Sequence, residues 1–116
     1  MAHEGVQGAL GTADPTHRYR MRAQIVTNAA RVGIAVMDVD ERYVEAGGLA
    51  THGTDNVEQM RRGAVYVERI LRGAKPADLP VEEPTQFRMA LNLAAARSLK
   101  LAIPQSVLVR SDLVIQ

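Results

Sequence analysis

From Thr16 onward the apolar positions fall at helical spacing, with Met21, Ile25, Ala29 and Val32 on one face. This predicts a helix closed by Gly33, a residue suited to the positive φ of a carboxyl-terminal cap. Arg18, Arg20 and Arg22 lie near its start, where they oppose the helix dipole. Either the helix begins later than Thr16 or these side chains reach toward acidic groups. The apolar run IAVM over Ile34–Met37 reads as a buried parallel strand, and Asp38–Glu41 as the loop at its carboxyl end. Tyr43–Ala46 allows one helical turn before Gly47-Gly48, a pair suited to close backbone approach or positive φ. Leu49–His52 is a second short strand, after which Gly53 and Thr54 turn the chain.

The best-specified element is a helix over Asp55–Arg72. Asp55 is a good N-cap with Glu58 three residues on, and Val57, Met60, Ala64, Val67 and Leu71 form one apolar stripe. Glu58/Arg62 and Glu68/Arg72 are i,i+4 pairs with the acid on the amino-terminal side, worth roughly 0.2–0.5 kcal/mol each. Gly73 ends it. Ala74–Pro84 contains KPADLPVEEP and reads as an extended connector, because proline fixes φ and restricts its predecessor. Thr85–Leu91 alternates, with Phe87, Met89 and Leu91 on one side, as a strand with one drier face does. Asn92 can cap a short helix over Leu93–Lys100. Pro104 and Gln105 open a last turn, and Asp112–Gln116 suits either helix or strand.

Strands alternating with helices indicate an α/β fold. The expectation is a small three-layer, Rossmann-like parallel sheet of three to four strands with flanking helices. Met1–Pro15, rich in Gly, Ala and small polar residues, reads as a flexible leader, and residues 16–116 as the folded part. The 116 residues fit one core. That core is built from small pieces, since the chain has one Phe, three Tyr and no Trp. Modest stability, or a subunit interface that completes the core, is therefore expected.

A net charge of +1 argues against nucleic acid or an anionic membrane as the main partner. The absence of cysteine removes disulfides, thiolate metal sites and cysteine nucleophiles. The opening MAHEGVQGALGTADPTHRYR lacks the pattern of a secretory signal, and no apolar run approaches the ~18 residues of a membrane span. The chain as written is expected to stay in the cytoplasm when expressed alone.

Asp38, Asp40 and Glu41 cluster at the carboxyl end of a predicted strand, where open α/β sheets bind ligands. Carboxylates there suit a divalent cation or general-base chemistry; the simpler reading is a solvated loop capping the next turn. No second acidic motif at a recognisable spacing supports a metal. His52 with Asp55 makes a possible acid–base pair, yet no G-x-S-x-G elbow and no H-E-x-x-H occurs, so no catalytic residue, metal or cofactor is assigned. The turn before the long helix is better suited to binding, because helix-terminal N–H groups hold anions. It places His52, Thr54 and Asp55 at the lip of a cleft, although the Asp55 side chain competes for those donors.

The segments VEAGGLATHG, RILRGAKPADLPVEEPTQF and NLAAARSLKLAIPQSVLVR resemble the closing part of the extracytoplasmic solute-binding proteins of a family of bacterial ABC transporters. The resemblance covers roughly residues 22–116. It implies a type I periplasmic-binding-like fold, with two Rossmann-like lobes, a hinge of crossing strands and a small organic solute, such as an amino acid, closed between the lobes. It also implies an ABC permease as partner and a periplasmic or extracytoplasmic setting. On that pattern this chain is part of the carboxyl-terminal lobe, truncated and lacking the first, and the missing signal fits the truncation. Asp38–Glu41 and His52–Asp55 then face the cleft, with His52 where family members commonly carry an aromatic residue. The rival expectation is a self-associating homodimeric remnant with no transport role, its bared apolar faces paired.

Overall fold

The computed structural model describes residues 5–12, 14 and 16–116. Its strands are β1 (Gly8–Leu10), β2 (Ala35–Asp38), β3 (Ala50–Thr54), β4 (Phe87–Asn92) and β5 (Leu113–Ile115). Its α-helices are α1 (Arg22–Val32), α2 (Arg42–Glu45), α3 (Asn56–Leu71), α4 (Leu93–Ser98) and α5 (Gln105–Leu108). The strands form one sheet in the sequential order β1-β2-β3-β4-β5. The β1–β2, β2–β3 and β4–β5 pairs are parallel, with Ala9 opposite Val36, Asp38 opposite Thr51 and Leu91 opposite Val114. The α/β expectation is met, with five strands where three to four were expected. One of them, Gly8–Leu10, lies within the stretch read as a flexible leader. It escaped notice because a three-residue edge strand, GAL, is too short to show alternation.

The first helix starts late, as its arginines suggested. Thr16–Met21 is a π-helical turn and the α-helix proper runs from Arg22 to Val32. Gly33 closes it at φ 71°, its N–H reaching the carbonyls of Ala29 and Ala30. Val26 on this helix packs with Ile34, Val36 and Tyr43 into the hydrophobic core, flanked by Ala9, Ile25 and Ala29. Tyr43 and Val44 on the single turn α2 are sealed completely. Gly47 takes φ 99°, and a side chain on Gly48 would run into the Tyr43 ring, so both glycines are required by the turn that seats α2.

Asn92 ties three pieces together. Its Oδ1 accepts from the Ala95 N–H (2.9 Å) to cap α4, its Nδ2 donates to the Val44 carbonyl (3.2 Å), and its own N–H donates to Leu49 O (2.9 Å). The helix it caps ends at Ser98, two residues before the expected Lys100. Lys100 itself sits at φ 56°, closing the end with N–H bonds from Lys100 to Arg97 O and from Leu101 to Ala96 O. A left-handed backbone suits glycine better than lysine. Lys100→Gly is therefore expected to raise stability by about 0.5–1 kcal/mol, part of the relief being offset by the freer unfolded chain. An unchanged or lowered urea midpoint would count against that strain.

The chain divides into two compact units, Met1–Gly53 with Arg88–Gln116, and Thr54–Phe87. The second consists of α3 and its connector. Asp55 caps α3 through its carboxylate, accepting from the Val57 (2.9 Å) and Glu58 (3.1 Å) N–H groups. The Asp55 N–H donates to Gln86 O (3.0 Å), closing the unit at its base. The i,i+4 pair Glu68–Arg72 forms at 2.7 Å, whereas Glu58 pairs with Arg61 instead of Arg62. Arg62 is drawn across to the connector, where it pairs with Glu82 and donates to Thr85 Oγ1 (3.3 Å). That pairing holds the Glu82 carboxyl below its usual range. Tyr66 donates its hydroxyl hydrogen to Pro80 O at 2.7 Å.

Candidate functional site

The loop after β2 is shaped by its own carboxylates. Asp38 is buried, and its Oδ1 accepts from the N–H groups of Val39 (2.7 Å) and Asp40 (3.0 Å). Asp40 is buried as well. Its Oδ1 accepts from the Arg42 N–H (3.0 Å) and Nε (2.9 Å), and its Oδ2 takes the Arg42 Nη2 at 2.5 Å. The fork of a guanidinium on one carboxylate is among the stronger hydrogen-bonded pairs. Asp40 accordingly holds the Arg42 pKa above its ordinary value. Arg42 also lies 4.8 Å from the centre of the Tyr19 ring, fastening the turn before α1 to this loop.

The cluster read from the sequence therefore separates by role. Asp38 and Asp40 are spent on backbone and on Arg42, and their work is to hold the loop's shape. Glu41 is half-buried with its carboxylate toward Arg88, at 3.4 Å. At that distance, with both side chains substantially exposed, the ion pair is loose enough to exchange for other partners. In the sequence Arg88 is one polar position of an alternating strand, 47 residues from Glu41, and only the fold, with β4 one strand from β2, brings the two together.

His52 is exposed on β3, while Thr54 ends that strand. Gly53, expected in a turn, lies within β3, where its missing side chain leaves room for the backbone of Val39. That close approach stitches the Asp38–Glu41 loop to the strand carrying His52. Thr54 and Asp55 belong to the second unit, and Asp55 has its carboxylate committed to the α3 cap. The helix-terminal N–H groups proposed for an anion are thus already answered by the chain itself.

Within the second unit a groove of about 440 Å³ runs along α3, lined by Gln59, Tyr66, Ile70, Leu79 and Val81 among others. Within it Arg62 pairs with Glu82, and Tyr66 donates to the Pro80 carbonyl. Among the described residues no group of three His, Cys, Asp or Glu is placed to hold a metal ion. No helix of the described residues is long and apolar enough to cross a membrane.

Comparison with known proteins gives the context. The family described as ABC transporter substrate binding protein matches residues 2–115. A conserved domain protein from Vibrio cholerae is similar over 97% of this chain, with 26% identity and a TM-score of 0.88. An ABC domain from Streptococcus pneumoniae, solved in complex with L-Trp, is similar over the same 97%, with 27% identity and a TM-score of 0.84. A substrate binding protein with adhesive properties from Clostridium difficile, solved open and ligand-free, shares the fold at 18% identity and a TM-score of 0.65 over 94% of this chain. The chain spans 38% of the length of the first two and 36% of the third. No match was found among the curated proteins.

Proposed function

The chain belongs to the ABC transporter substrate-binding protein family, and on that premise we propose that it binds a small organic solute, an amino acid, for delivery to an ABC permease outside the cytoplasm. The observation that carries this reading is the similarity, over 97% of the chain, to a protein solved with L-Trp. The surface chemistry agrees with it. An amino acid presents an ammonium and a carboxylate, and Glu41 and Arg88 supply a carboxylate and a guanidinium 3.4 Å apart. The solute's charges replace those of the protein pair, Glu41 accepting from the ammonium and Arg88 donating to the carboxylate. Asp38 and Asp40 serve by fixing the loop that carries Glu41, and His52 is exposed on β3 of the same sheet. Membership in the substrate-binding family supports a binding role.

The test is a thermal melt of the chain against a panel of amino acids and small organic acids. A bound solute at ~100 times its dissociation constant adds about 2.7 kcal/mol, a shift of several degrees in a domain of this size. Glu41→Gln and Arg88→Ala are each expected to weaken binding about tenfold or more, the loss of one hydrogen bond to a charged group. Their melts without solute should differ little from the parent, since an exposed pair contributes at most about 1 kcal/mol. A melt that no solute moves defeats the solute-binding reading. A shift retained in full by both variants leaves binding in place and removes these two residues from it.

A further inference from the structure

The apolar stripe of α3 is not a core face in this chain. Val57 is 67% exposed, Met60 78%, Val67 57% and Leu71 82%, and no residue of the helix is buried. The connector packs instead along the side carrying Gln59, Arg62 and Tyr66, reaching round to Gly63 and Ile70 at one flank of the stripe and leaving the flank of Arg61 and Glu68 open. The stripe positions 57, 60, 64, 67 and 71 are spaced three, four, three and four apart, the a/d repeat of a two-helix seam.

The flanking charges choose the occupant. Arg61 and Glu68 follow Met60 and Val67 at the two e positions, both exposed, while Asn56, Gly63 and Ile70 at the g positions carry no charge. In an antiparallel pair of such helices the e positions face each other, and in a parallel pair e faces g. Only the antiparallel arrangement matches opposite charges. With the two-fold axis midway between Ala64 and Val67, Arg61 of each copy meets Glu68 of the other. An antiparallel seam layers a against d, so Ala64 meets Val67 and Met60 meets Leu71, and the small Ala64 lets the backbones approach closely. Existing partners of these charges, Glu58 for Arg61 (2.5 Å) and Arg72 for Glu68 (2.7 Å), lie on the same exposed helix and leave room for a second contact.

We infer that α3 is a self-association surface, pairing antiparallel with α3 of a second copy of this chain through the Met60–Leu71 part of the stripe. The area removed from solvent is on the order of 1,000 Å² counting both copies, the lower limit for a specific interface, so the dimer is weak and concentration-dependent. It stands apart from the solute reading, since neither Glu41 nor Arg88 takes part.

Sedimentation equilibrium of the 116-residue chain from about 10 μM to 1 mM tests it. A monomer–dimer equilibrium is expected, weakened about tenfold by Arg61→Glu or by Glu68→Arg, because each reversal turns two attractions into two repulsions. The double variant should recover the parent dissociation constant. An equimolar mixture of the two single variants should form heterodimers more tightly than either associates alone, since every cross pair is then attractive. Circular dichroism shows whether each variant keeps its helix content, as exposed charge reversals should. A chain that stays monomeric to 1 mM overturns the proposal and leaves the stripe to a different occupant. A dimer indifferent to the single reversals, or one the double reversal fails to restore, overturns it equally.

Discussion

Gly53→Ala is expected to destabilise the chain by about 3 kcal/mol or more, at or beyond the upper end for overpacking a well-filled site. A Cβ at this position would overlap the Val39 carbonyl oxygen and lie 2.8 Å from its carbon and 3.1 Å from its Cα. Those are backbone atoms, and they have little freedom to yield. The Val39 N–H is held by Asp38 Oδ1 at 2.7 Å, and the next N–H by the same oxygen at 3.0 Å. Relief would require moving the β2-end loop away from β3, which carries Asp38–Glu41 out of place. The variant should therefore lose any solute-induced shift together with its stability. Gly63→Ala is the contrasting control. It lies within α3, nothing stands within 4 Å of the added carbon, and helix propensity favours alanine by about 0.5–1 kcal/mol. Urea melts of both variants test the argument through opposite signs. A Gly53→Ala protein within about 1 kcal/mol of the parent would show that the loop can move away at little cost.

Tyr43→Ala should cost about 3–5 kcal/mol, the range for removing a large buried aromatic side chain. Tyr43 is 1% exposed at the centre of the core cluster with Val26, Ile34 and Val36, and its ring also fills the space left by Gly48. Tyr43→Phe, by contrast, should be neutral or stabilising by up to about 1 kcal/mol. The hydroxyl is buried with no hydrogen-bond partner among the described residues, so its removal ends a desolvation penalty without breaking a bond. Burial, with the Asp38 carboxylate adding to it, pushes the phenol pKa up to about 12. An unfolded tyrosine ionises near 10. Between those values the unfolded chain binds fewer protons than the folded one, so stability falls as pH rises from about 10 to 12. Below pH 10 both states keep the proton and the group adds no slope. The parent should accordingly lose stability faster than Tyr43→Phe across that alkaline window in denaturant melts. Parallel curves would mean that the phenol meets solvent.

Much of this molecule is legible without coordinates. Periodicity over Asn56–Leu71, an aspartate before it and a glycine after it are local signals, and they define α3 to within a residue or two. The apolar run ahead of Asp38 marks a strand, and Asn92 announces the cap of α4, because caps and runs act over three or four residues of contiguous chain. Composition was enough to remove thiol chemistry. The chemistry of the carboxylates was harder to read. Asp38, Asp40 and Glu41 look alike in sequence, and they separate only when the folded loop shows two of them consumed by backbone N–H groups and Arg42.

The partners most distant along the chain belong to the fold alone. Glu41 meets Arg88 and Val44 meets Asn92 because β4 lies one strand from β2 in the sheet, within reach of the loop and turn that follow β2. Gly53 reads locally as a turn, yet its reason is the backbone of Val39 pressed against it from the loop after β2. The α3 stripe shows the same division from the other side. Its amphipathic spacing is a property of the sequence, but whether it is buried depends on what lies against it, and in this chain it faces solvent. Short-range geometry follows from each residue's own backbone preferences and hydrogen bonds. Burial and pairing depend on which surfaces the whole chain brings into contact, and no single segment carries that information.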